Sequence, residues 1–79
     1  MAILDDLKDI IVDILDVQAQ EITEESKLVE DLKADSLDIV EMLMQIEDKF
    51  GLQIPESTAE DFKTVKDVVD YLEKRLQEK

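Results

Sequence analysis

Apolar residues recur along this chain at the three- and four-residue spacing of a helix face in three stretches. In the first, Ile3, Leu7, Ile10 and Ile14 form a stripe widened by Leu4, Ile11 and Leu15. Asp5, Asp6, Lys8, Asp9 and Asp13 take the opposite side, so an amphipathic helix is predicted over residues 3–15. The second stretch, Leu37 to Phe50, has neither Gly nor Pro. Ile39, Leu43, Ile46 and Phe50 make one face, while Leu37, Val40 and Met44 make another, interleaved with Glu41, Glu47 and Asp48. A helix in a small domain needs one face for its core. The other, apolar but rimmed by carboxylates, reads as a surface kept for partners. The third stretch places Val65, Val68, Val69, Leu72 and Leu76 inward.

Punctuation between the stretches completes the fold. The only Gly, Gly51, follows the last periodic residue of the second helix, where a left-handed cap is expected. Pro55 forces Ile54 out of helical geometry and suits the first turn of a short helix over residues 56–61, ending near Phe62. Thr64 caps the last helix, with Asp67 three residues on as a weaker capping box. Lys74, Arg75 and Lys79 put positive charge at its favourable end; Asp13 and Asp16 sit at the wrong end of the first helix and read as solvation. Residues 17–35 are long for a connection between helices, yet Ile22, Leu28, Val29 and Leu32 recur as anchors. They predict an ordered loop with one helical turn near Val29–Leu32. The expected fold is all-α: a four-helix bundle of three main helices and a short third one, without a sheet.

Composition narrows the chemistry. Seventy-nine residues read as one domain, 1–79, near the lower size limit for a self-sufficient core. There is no apolar run able to span a bilayer and no signal-peptide pattern, and the absence of Cys is consistent with the cytoplasm. Without His or Cys the chain lacks the commonest general base, the best side-chain nucleophile and the usual zinc ligands, so it is a poor candidate for an enzyme. Twenty-two acids against nine bases give a net charge of −13, which excludes a nucleic-acid footprint and disfavours anionic membranes. Partners with basic patches remain. Glu30, Asp31 and Asp35 lie close together, but the calcium-loop pattern is missing, so they read as solvated charge and no metal site is expected.

At the head of the second helix stands Lys33-Ala34-Asp35-Ser36-Leu37-Asp38. Ser36 is either the helix cap or, if Asp35 caps, a first-turn hydroxyl facing water where an anion is well placed. The run Ala34-Asp35-Ser36-Leu37-Asp38, with Val40-Glu41 following, resembles the attachment motif of acyl carrier proteins of bacterial fatty acid synthesis. The resemblance continues through Ile22-Thr23, Phe50-Gly51-Leu52-Gln53-Ile54-Pro55, Thr64-Val65 and Tyr71, and departs at Lys33, where the family usually has Gly.

That resemblance implies a four-helix bundle and a carrier function. Ser36 would receive 4'-phosphopantetheine from coenzyme A through a phosphopantetheinyl transferase (holo-carrier synthase), flanked by Asp35, Leu37 and Asp38. Docking to fatty acid synthesis enzymes with basic patches would use Leu37, Asp38, Val40, Glu41, Met44, Glu47 and Asp48. An acyl chain would contact Leu7, Ile11, Leu43, Ile46, Ile54, Phe62, Val68 and Leu72, and the carrier would work as a monomer. Two alternatives stay open: a carrier of polyketide, D-alanyl or other cargo, or a small acidic helical interaction module with no prosthetic group.

Overall fold

The first helix, α1 (Ile3–Leu15), buries Leu7, Ile10 and Ile11 and closes at Asp16, whose backbone is left-handed (φ 57°). The Asp16 N–H donates to the Val12 carbonyl at 3.3 Å, so this residue closes the helix in addition to carrying charge. Asp is one of the few side chains that visit this region routinely. The structure, a computed structural model, describes residues 3–77. It therefore says nothing of Lys79.

The connection after α1 is ordered by backbone hydrogen bonds. Its one helical turn is a 3-10 turn at Ala19–Glu21, not at Val29–Leu32 as expected. Residues 27–32 instead form a turn in which the Asp31 and Leu32 N–H groups both donate to the Lys27 carbonyl (2.9 and 3.0 Å). This turn buries Leu28 and Leu32 and leaves Val29, an expected anchor, 62% exposed. The segment is stitched to the last helix: Leu28 N–H to Lys63 O, Val65 N–H to Ser26 O and Lys66 N–H to Glu24 O, at 2.8–3.0 Å. One isolated antiparallel bridge, Lys27 with Thr64, accompanies them.

The second helix, α2 (Ser36–Phe50), ends at Gly51 (φ 66°), whose N–H reaches the Glu47 carbonyl at 2.9 Å. The third, α3 (Glu56–Ala59), is shorter than the residues 56–61 expected. After Ala59 the bonds tighten to three-residue spacing, Asp61 to Thr58 and Phe62 to Ala59, which ends the α-helix. Pro55 stands at the N-cap (φ −62°, ψ 148°), one position ahead of the first turn. The last helix, α4 (Val65–Gln77), opens with the expected box. Thr64 Oγ1 accepts the Asp67 N–H at 3.2 Å, while Asp67 Oδ2 accepts the Thr64 and Lys63 N–H groups at 3.1 and 3.0 Å. These bonds, led by the one from Lys63, hold the Asp67 carboxyl below its ordinary value.

Helix α1 packs against both α2 and α4, and one hydrophobic core joins all three with the connection and Ile54. Within α2 the deepest residues are Ile46 and Met42, at 0% and 3% exposure. Met42 was absent from the predicted stripe; Leu43, which was in it, is only partly buried. Across the α1–α2 seam, Lys49 Nζ lies 3.8 Å from Asp6 Oδ1, and Gln45 donates to Asp13 at 3.4 Å. Among the described residues no helix is long and apolar enough to cross a membrane.

Candidate functional site

The head of α2 is set by Asp35, an extended residue (φ −100°, ψ −174°) whose Oδ1 accepts the Asp38 N–H at 2.9 Å. Asp38 Oδ2 in turn accepts the Asp35 N–H at 3.2 Å, making a reciprocal capping box. Of the two readings of Ser36, this geometry selects the second. Ser36 is the first helical residue, exposed, and its hydroxyl makes no hydrogen bond to a described residue. The support beneath it is firm: the Ala34 N–H donates to Leu28 O at 2.9 Å, and Leu32 and Ala34 are both buried. Between those two lies Lys33, exposed and left-handed at φ 62°.

From Ser36 the outer face of α2 carries three large apolar side chains into solvent, Leu37, Val40 and Met44, at 71%, 50% and 61% exposure. Glu41 and Asp48 are exposed beside them. Two carboxylates assigned to the same face have other duties as well. Asp38 belongs to the capping box, and Glu47 is half-buried, its Oε2 accepting the Ile54 N–H at 2.8 Å. The Gly51 turn brings the chain back along the last turn of α2, and this is what puts Ile54 beside Glu47. Sequence spacing gave no sign of that contact.

The acyl-contacting candidates fall into two groups. Leu7, Ile11, Ile46, Val68 and Leu72 are fully buried and Ile54 nearly so, all in one cluster; Leu43 and Phe62 pack at its margin. Phe62 meets Tyr71 edge-on with centroids 5.5 Å apart. Arg75 Nη1 donates to the Tyr71 hydroxyl at 2.7 Å and to Gln53 O at 3.0 Å. Thus the link carrying Ile54 is held from α2 by Glu47 and from α4 by Arg75. The carboxylates before α2 are occupied locally: Asp31 accepts the Lys27 N–H at 2.8 Å and Glu30 pairs with Lys27 at 3.3 Å. Among the described residues no group of three potential ligands gathers for a metal ion.

A hydroxyl that is exposed, first in its helix and not needed as the cap suits esterification by a phosphate-bearing group, which helix N-termini favour. The comparisons with known proteins point the same way. Residues 5–72 match the family model described as phosphopantetheine attachment site. The acyl carrier protein of Wolinella succinogenes is 55% identical over 92% of this chain and 96% of its own length. That of Campylobacter concisus is 49% identical over 94% and 96%. In three dimensions the chain is similar to a Mycobacterium tuberculosis protein assigned as an acyl carrier protein, with a TM-score of 0.78, 34% identity, and coverage of 82% of this chain and 86% of that one. The chain therefore belongs to the acyl carrier proteins, a family of carriers rather than enzymes whose members bear covalently attached 4'-phosphopantetheine.

Proposed function

We infer that Ser36 is the attachment residue and that residues 1–79 act as one carrier domain for acyl intermediates of fatty acid synthesis. The observation that carries this reading is the exposed Ser36 hydroxyl, freed from capping by Asp35. In the loading step Ser36 Oγ bonds to the phosphorus nearer the pantetheine in the diphosphate of coenzyme A. The P–O bond to the adenosine half breaks, releasing adenosine 3',5'-bisphosphate. The hydroxyl proton goes to a base on the transferase, because this chain has no His and the adjacent Asp35 and Asp38 carboxylates are committed to backbone N–H groups. Once attached, the arm supplies a thiol on which acyl groups ride as thioesters.

The transferase and the synthesis enzymes dock on the outer face of α2. Leu37, Val40 and Met44 supply apolar contact there, and Glu41, Asp48 and the half-exposed edges of Asp38 and Glu47 face basic partner residues. The cluster from Leu7 to Leu72, bordered by Leu43 and Phe62, receives the acyl chain when the Ile54 link moves aside. The carrier works as a monomer in the cytoplasm. Intact-mass measurement after expression with a phosphopantetheinyl transferase tests the attachment. The parent gains one phosphopantetheine and Ser36→Ala gains none; an increment on Ser36→Ala would overturn the assignment.

A further inference from the structure

Lys33 occupies a backbone conformation that favours glycine, and its exposed side chain leaves the loop between two buried neighbours, Leu32 and Ala34. Left-handed backbone is strained for a lysine and free for glycine. Such an outlier is evidence that the side chain serves a purpose outside the fold. The surrounding charge says which purpose. Lys33 is the only base between Lys27 and Lys49, a segment that holds seven carboxylates and Ser36. Lys27 pairs with Glu30 and Lys49 with Asp6, whereas the Lys33 ammonium makes no ion pair with a described residue despite that surplus of acids.

Resting on the attachment of the arm at Ser36, we propose that Lys33 is the counter-charge for the phosphodiester that joins the arm to the chain. They stand three positions apart, so their Cα atoms lie no more than about 11 Å from each other, a gap that a flexible four-carbon stem with a charged head narrows to an ion pair. The need for such a charge is local. A phosphodiester on Ser36 adds an anion beside the Asp35 and Asp38 carboxylates, whose positions the capping box fixes. Lys33 is thus a positioning residue for the attached arm, and it sits on a loop pinned by the Ala34–Leu28 hydrogen bond.

The test compares the unmodified and arm-bearing forms of four chains: parent, Lys33→Gln, Lys33→Arg, and Lys74→Gln as a control for net charge on the far end of α4. Loading uses coenzyme A and a phosphopantetheinyl transferase, and intact mass confirms it. At low salt the arm should lower the melting temperature of Lys33→Gln by about 1–4 °C more than that of Lys74→Gln, the size of one exposed ion pair in a domain this small. The phosphorus-31 resonance of the phosphodiester should shift in Lys33→Gln but not in Lys74→Gln. Lys33→Arg should restore both readouts, and raised salt should erase the melting difference. Lys33→Gly separates strain from charge: its unmodified form should melt higher than the parent, yet it should suffer the same added loss on loading as Lys33→Gln. If Lys33→Gln responds to the arm as Lys74→Gln does, or Arg fails to restore it, this role is overturned while the attachment stands. A parent chain that gains no arm on Ser36 overturns both.

Discussion

Replacing Asp35 with Ala and Ser36 with Ala should change stability unequally, although the residues are neighbours at one helix end. Asp35 supplies the carboxylate that accepts the Asp38 N–H at 2.9 Å. Removing a cap of this kind costs about 1 kcal/mol, and the loss of an anion at the positive end of α2 adds about 0.3 kcal/mol or more. For a domain of this size that corresponds to a fall in Tm of about 4–8 °C per kcal/mol. Ser36 makes no side-chain hydrogen bond to a described residue and is the first helical residue, where Ala is the better helix former by no more than about 0.5 kcal/mol. Ser36→Ala should therefore be neutral or slightly stabilising. Far-ultraviolet circular dichroism is the suitable readout, since the chain has no Trp and one Tyr. Intact mass supplies the second axis: Asp35→Ala should still take the arm and Ser36→Ala should not. If Ser36→Ala instead lost about 1 kcal/mol and Asp35→Ala lost nothing, the serine would be the cap. Its hydroxyl would then not be free for esterification, and the reasoning would fail.

Four further outcomes follow from other parts of the molecule. Glu41→Lys should keep its helical spectrum while its partners associate more slowly at low salt, a defect that shrinks as salt rises; Val40→Ala should weaken docking at every salt concentration, mainly through faster dissociation, and unchanged association kinetics in Glu41→Lys would remove the outer face of α2 from the docking surface. An acyl chain on the arm should raise the melting temperature over the unacylated form across some range of chain lengths, because a ligand bound only by the folded state stabilises it, and no rise at any length would exclude the core as its site. Asp67 has its folded carboxyl held below the ordinary 3.8, so its contribution is complete above that value and lost as pH falls through the lower folded one; urea melts should show Asp67→Asn trailing the parent at neutral pH and converging with it in strong acid. Gly51→Ala should cost about 1 kcal/mol from the left-handed backbone alone, with no clash since no described residue beyond its chain neighbours lies within 4 Å of the added carbon, and a much larger loss in a denaturation curve would reveal a contact the structure lacks.

Periodicity and punctuation sufficed for the elements that local forces determine. The bounds of α1, the stop at Gly51, the Thr64–Asp67 box and the exposed stripe of Leu37, Val40 and Met44 depend on residues within one or two turns of each other. The family was legible for a related reason: the run around Ser36 is contiguous, so attachment chemistry could be inferred without knowing what packs where. Tertiary structure decided everything that depends on a distant partner. Val29 and Leu28 look alike in sequence, but only Leu28 is turned inward, because its N–H is tied to Lys63, thirty-five residues away. Met42 is buried and Leu43 only partly so because the positions that α1 and the rest of the core cover on α2 are set by their packing, which the α2 pattern alone does not specify. Glu47 reads as one more surface acid until the Gly51 turn brings the Ile54 N–H against it. In sequence Lys33 stands out only as a departure where the family usually has Gly; that it takes up the left-handed backbone, between buried Leu32 and Ala34, is seen only in the structure. Local sequence sets which helices form and where they end; the relative placement of those helices sets which side chains are covered and which remain free for the arm, its cargo and its partners.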